Sequence, residues 1–191
     1  MTDTCADIDS VRRIVQSSGW RRIGVDGVQG AGMAPLAQEL AEALDCPALD
    51  VDDYLYKNQG GYVDFIDYPA LSAALAAIPV VVLSGLCLRE VLDNMDTDLD
   101  AHIYIKRIRH GQWADEDYCV FPDGVDVAIE NLARRSAMIS DFFDERSQFA
   151  SHDGEETSPE LSDEVMRYHD AHQPHEIADL VFERGGNPEQ T

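Results

Sequence analysis

The sequence predicts an α/β fold, a parallel sheet covered by helices on both faces. Three observations point to it. Short strand-like apolar runs alternate with segments of helical spacing along the chain. "PVVVLSG" (Pro79–Gly85) is a continuous β-branched run, the pattern of a strand in the middle of a parallel sheet. "IGVDGVQGAGMAPLAQEL" (Ile23–Leu40) places a glycine-rich turn between a strand and a helix.

The elements follow in order. Asp7–Ser18 carries Ile8, Val11 and Val15 at helical spacing and is stopped by Gly19. Arg21–Asp26 is a short buried strand, and the glycine loop follows it. Leu36–Leu44 is a helix with Leu36, Leu40 and Leu44 on one stripe. Pro47–Asp53 is a second strand with acids at its C-terminal end, and Gln59–Tyr68 is an aromatic loop. Pro69–Ala77 is a helix with proline in its first turn. After the central strand come a short helix, Leu86–Leu92, and a fourth strand, Ala101–Arg107. Ile108–Gly124 is a loop with Gly and Pro signals. Asp126–Phe149 is a long helix with Ile129, Leu132, Ile139, Phe142 and Phe143 facing inward, and Ala150–Pro159 is an acidic exposed loop. Ser158 caps a further helix with Pro159 at its first position and Leu161, Val165 and Tyr168 on its apolar side. Pro174 stops that helix, and Ala178–Glu183 is the last strand. Nothing repeats. The expected organisation is an N-terminal helix (1–20), one domain (21–184) whose 107–158 region is lid-like, and a tail (185–191).

Composition narrows the function. The chain has 191 residues, of which 45% are hydrophobic, enough for a real core. Its longest apolar run is strand-length, and the acidic start lacks the basic and apolar regions of a signal peptide. Four scattered cysteines (Cys5, Cys46, Cys87, Cys119) form no CxxC pair and suit reduced thiols. A cytoplasmic location is therefore expected. The net charge of −23 disfavours nucleic acid and anionic membranes. The acids are spread along the whole chain, which suits a solvated surface better than a face for one basic partner.

Gly27, Gly30 and Gly32, with Ala31 between, fit a phosphate cradle in which backbone N–H groups and a helix N-terminus point at an anion. The chemical handles are missing. Where a lysine should hold phosphates and a hydroxyl should hold magnesium stand Met33 and Ala34. Pro35 removes one more N–H donor while suiting a first helical turn. Each charge-assisted hydrogen bond is worth roughly 1.5–3 kcal/mol, so losing about three weakens nucleotide binding by about 10³-fold or more.

Taken together, the motifs resemble the uridine kinase-like branch of the P-loop nucleoside and nucleotide kinases. The opening "IGVDGVQGAGMAP" matches that family's phosphate loop, degenerate in its Walker A handles. "DVDDYLYKNQ" (Asp50–Gln59), "VDFIDYPA" (Val63–Ala70), "VVVLSG" (Val80–Gly85), "HIYIKRIR" (His102–Arg109) and "ADLVFE" (Ala178–Glu183) follow in the family's order. The resemblance implies a three-layer P-loop kinase fold, a parallel five-stranded sheet in the order 2-3-1-4-5. It implies transfer of a phosphoryl group from magnesium-ATP to a nucleoside or similar alcohol. Asp52 or Asp53 matches the family's base; Tyr54, Tyr56, Asp64, Asp67 and Tyr68 match the acceptor pocket; Lys106, Arg107 and Arg109 match the lid cations. Ser84 stands where the family has an acid.

Plainer readings stand beside these. Asp52 and Asp53 are equally solvated acids at a strand end. Asp26 is more simply a cap on the loop backbone, and the tyrosines, Tyr62 among them, pack the loop. His169, His172 and His175 recur in three-residue steps, without the i, i+4 spacing that sets two ligands over one ion, so no metal is expected. Three functional readings follow: a degenerate P-loop protein that binds a nucleoside-like small molecule or a protein partner without a cofactor; an active kinase using Mg-ATP, with Lys57, Lys106, Arg107 or Arg109 replacing the lysine; and an interaction protein, dimeric through its long helix or acidic surface.

Overall fold

Val81–Ser84 is buried along its whole length, and the rest of the architecture is arranged around it. The structure, a computed structural model, describes residues 2–56, 61–144 and 159–185. In chain order the elements are β1 (Asp3–Cys5), α1 (Ile8–Ser18), β2 (Arg22–Gly27), α2 (Met33–Leu44), β3 (Ala48–Asp50), α3 (Tyr68–Ala77) and β4 (Val81–Ser84). There follow α4 (Leu88–Asn94), β5 (Ala101–Arg109), β6 (Gln112–Trp113), α5 (Val125–Asp144), α6 (Pro159–His172), α7 (Pro174–Ile177) and β7 (Leu180–Gly185).

The sheet runs β1-β7-β5-β2-β4-β3, with β6 paired to β5 alone. Its five central strands, taken in chain order, give 2-3-1-4-5, all parallel. This is the expected fold with two strands added. One is β1, which runs parallel to β7. The other is β6, an antiparallel hairpin partner of β5. That hairpin lies within the stretch expected to be a plain loop. It turns at His110 (φ 51) and Gly111 (φ 77), two positive φ values in succession that match strand twist in a two-residue turn.

Side chains alternate along β2. Ile23 and Val25 join the core with Leu36, Leu40 and Ala41 of α2. Gly24 faces Leu88 of α4, and Asp26 faces Tyr168 of α6. The helices therefore cover the sheet from two sides. No described helix is long and apolar enough to cross a membrane.

Several boundaries differ from the sequence expectation for physical reasons. α1 begins where Asp7 accepts the Ser10 N–H at 2.8 Å and ends at Gly19 (φ 75), as expected. α2 starts three residues earlier than expected, at Met33, because Gly32 (φ 89) supplies the last non-helical residue before it. β3 ends at Asp50, whose side chain accepts the Asp52 N–H at 3.2 Å and so turns the chain into a 3-10 turn over Val51–Tyr54. Asp52 and Asp53 are thus turn residues and not strand residues. Pro174 does more than stop α6, since it opens α7 behind Gln173 (φ 45). On α5, Ile129 and Leu132 are half-buried. The side chains of Ile139, Phe142 and Phe143, with Phe149, Ser158, Lys57 and the 150–158 loop, lie outside the described residues.

Candidate functional site

The glycine loop leaves β2 at the carboxyl edge of the sheet, where ligands of parallel sheets bind. Gly27 donates its N–H to Asp26 at 2.7 Å, and the Ala31 N–H closes a turn on the Val28 carbonyl at 3.0 Å. Gly30 (φ 74) and Gly32 (φ 89) are left-handed, which only glycine adopts without strain. The first helical bond of α2 runs from the Leu36 N–H to the Gly32 carbonyl at 3.1 Å. The four positions with no helical partner for their N–H are therefore Gly32, Met33, Ala34 and Pro35. Proline has no N–H, so three donors remain. The Met33 side chain is half-buried and packs against the core, whereas Ala34 and Pro35 are exposed.

Cations reach this loop from β5 and β7. Arg107 grips the buried Asp115 carboxylate with Nε at 2.9 and 3.1 Å and with Nη2 as well. That pairing holds the guanidinium in its charged form. Its Nη1 stands 3.5 Å from where a Cβ on Gly30 would lie. Arg184 donates Nη1 to the Ala31 carbonyl at 3.2 Å and to that of Gly32 at 3.5 Å. A Cβ on Gly32 would overlap that guanidinium. Arg107, Arg109 and Arg184 line a cavity of about 380 Å³ with Gly30, Gly32 and Pro35. Arg107 also walls a smaller cavity of about 130 Å³, with Gln29, Asp115 and Tyr118.

Lys106 is not brought to the loop. It lies 4.2 Å over the Trp113 ring on the opposite face of β5. Sequence reasoning missed Arg184, one residue beyond the expected end of the last strand. Its place follows from the register of β7 against β5, for which residue types along the chain give no signal.

On the acceptor side Asp52, Asp67 and Tyr68 already have partners. Tyr62 donates its hydroxyl to Asp52 at 2.6 Å and accepts the Leu86 N–H at 3.2 Å. Asp53 and Asp64 are exposed. Asp67 caps α3 by accepting the Ala70 N–H at 3.1 Å. The Tyr68 hydroxyl donates to the Val63 carbonyl at 2.8 Å and accepts from Asn94 at 3.0 Å. Tyr54 is half-buried, and Tyr56 is exposed. Glu164 of α6 accepts the N–H groups of Tyr62 and Val63 at 2.8 and 2.7 Å and holds the segment down. Ser84 is buried, and its hydroxyl is spent on the Leu49 carbonyl at 3.4 Å. Burial beside Asp52 and Asp53 raises the Asp50 carboxyl above the usual range.

Behind the loop α6 sets a neutral network. Tyr168 donates to Asp26, and burial pushes that carboxyl up to about 7. Burial also pushes His169 down to about 4, so its ring is neutral. Its Nδ1 donates to the Val165 carbonyl at 2.7 Å, which leaves Nε2 to accept the Tyr104 hydroxyl at 2.8 Å. The Cys119 thiol meets the Tyr104 oxygen at 3.4 Å and is pushed up to about 12, chiefly by burial, so it is no nucleophile. Among the described residues no group of three His, Cys, Asp or Glu is placed to hold a metal.

No family model matches the chain, and no curated protein matches it in sequence. Solved structures do match in fold. A provisionally named fructose transport system kinase from Silicibacter sp. TM1040 is 13% identical, with a TM-score of 0.50 over 93% of this chain and 100% of that one. A provisionally named uridine kinase from Bacillus stearothermophilus is 14% identical, with a TM-score of 0.50 over 92% of this chain and 97% of that one. The chain has the P-loop kinase fold.

Proposed function

We propose that this P-loop kinase-like protein lacks efficient ATP-dependent phosphotransfer and acts by binding a small molecule or a partner at the carboxyl edge of its sheet. The observation that carries this reading is the start of α2. Met33 packs against the core where a lysine would reach out, and Pro35 removes one of four free N–H groups. Magnesium finds no hydroxyl at residues 33–35, and the Ser84 hydroxyl is already spent. No cofactor is needed under this reading. Calorimetry with ATP and magnesium tests it: millimolar or weaker binding is expected, and a micromolar dissociation constant overturns it. Met33→Lys with Ala34→Ser and Pro35→Thr is expected to raise ATP affinity by about 10³-fold, the inverse of the loss reckoned from charge-assisted hydrogen bonds.

The second reading is an active nucleoside-type kinase, and one observation favours it. Arg184 places a guanidinium against the loop, where a substitute for the missing lysine would have to stand. Radiolabelled ATP with a panel of nucleosides separates the two. Turnover that disappears in Asp52→Asn or Asp53→Asn supports this kinase reading, and no turnover with any acceptor counts against it.

A further inference from the structure

We propose that Arg184 and Arg109 are built-in counter-cations of the glycine loop, and that the site they form takes a phosphate-class anion free of magnesium. This rests on the reading above, that the loop does not serve magnesium-ATP. Strand geometry puts the arginines there. Successive side chains of a strand point to opposite faces. Arg107 and Arg109 therefore leave β5 on one face and Lys106 on the other. Arg184 is the register partner of Arg107 on the parallel neighbour β7, so it emerges beside it, whereas Lys106 is matched with Glu183.

Guanidiniums crowded on one face of adjoining strands repel. The fold discharges one of the three, Arg107, through Asp115. The other arginine ion pairs among the described residues involve Arg12, Arg134, Arg135 and Arg167, and neither Arg109 nor Arg184 takes part in one. Both are exposed at the 380 Å³ cavity. Arg184 spends Nη1 on the loop carbonyls, and among the described residues its Nε and Nη2 have no partner. That edge is the planar fork that meets two phosphate oxygens at once. The N–H groups left at the start of α2 face the same anion class. Guanidiniums supply the charge neutralisation that a metal ion gives in other phosphate sites, and the absence of a metal anchor at residues 33–35 then costs this ligand nothing.

Inorganic pyrophosphate, titrated calorimetrically into the full chain in EDTA, tests the proposal. Binding without metal is expected, weakened at least tenfold by Arg184→Gln and by Arg109→Gln and unchanged by Lys106→Gln. Arg184→Lys, which keeps the charge but loses the fork, is expected to fall between. Circular dichroism establishes that each variant is folded. No binding in EDTA, binding that needs added magnesium, or binding that survives both glutamine substitutions overturns the proposal. Phosphotransfer from magnesium-ATP is assayed separately: turnover overturns the reading beneath it, whereas no turnover together with no pyrophosphate binding overturns this inference alone.

Discussion

On the β5–β7 side of the glycine loop Arg109 and Arg184 stand exposed; on the α6 side the buried polar groups are held by one another. Tyr168 donates to Asp26, Tyr104 to His169, and Glu164 receives two backbone N–H groups from the acceptor-side segment. Glu164 and Tyr168 lie one helical turn apart on α6, and His169 adjoins Tyr168. A single helix therefore ties the phosphate-loop strand, the acceptor segment and β5 together. The two sides of the loop are thus held differently, by internal hydrogen bonds on one and with charge left over on the other.

Acid should break the closed side first, and this is the largest effect expected. Burial pushes His102, His169 and His175 down to about 4 from an ordinary 6.5. The folded chain then binds fewer protons than the unfolded chain between those values. The histidine contribution is complete above pH 6.5 and is lost as pH falls through about 4, on the order of 3 kcal/mol for His169 and His102 and less for the more solvated His175. Asp26 opposes this: its carboxyl is raised from 3.8 to about 7, so its contribution is complete below 3.8 and is lost as pH rises through about 7. Burial raises the Asp50 and Glu90 carboxyls too, by less, in the same sense as Asp26; the three histidines outweigh these carboxyls, and the urea midpoint should fall between pH 7 and pH 5. A midpoint that holds or rises over that range contradicts the balance.

Glu164→Ala is the sharper local test. It strips a charged acceptor from the Tyr62 and Val63 N–H groups and should cost about 2–3 kcal/mol in urea unfolding. Arg109→Gln, on the open side, should change stability by less than about 0.5 kcal/mol. Equal losses would erase the distinction between the two sides. The smallest effect separates the adjacent aspartates. Asp52→Asn weakens the Tyr62 bond and should cost about 1 kcal/mol, while Asp53→Asn should be close to neutral. Matching values for the pair would remove the structural difference between them.

What was legible in the sequence was what depends on neighbours along the chain. The β-branched run of β4, the helical spacing of Ile8, Val11 and Val15, the Gly19 stop and the strand–glycine–helix turn are local signals, and each is present. β1 was not legible, because three residues of edge strand carry no period and gain their structure only from β7. The His110–Gly111 turn was visible as a loop signal but not as a hairpin, since its partner residues lie on either side of it. At the site, the family resemblance grouped Lys106 with Arg107 and Arg109, while strand alternation puts Lys106 on the other face of β5. Arg184 depends on the register between two strands far apart in sequence. On the acceptor side, the bonds that occupy Asp52 and Asp67 follow from geometry that residue types alone do not encode.

β7 lies between β1 and β5, so the first strand of the chain is joined to the sheet only through the last. A ribosome makes β1 and β5 long before β7. During that interval β1 has no partner, and β5 offers an open hydrogen-bonding edge on which another chain could add. The pairing that closes the gap spans nearly the whole sequence, a contact order that slows the final step. Assembly of this sheet therefore waits for Leu180–Gly185, and the nascent chain is most exposed to misassociation just before that segment arrives.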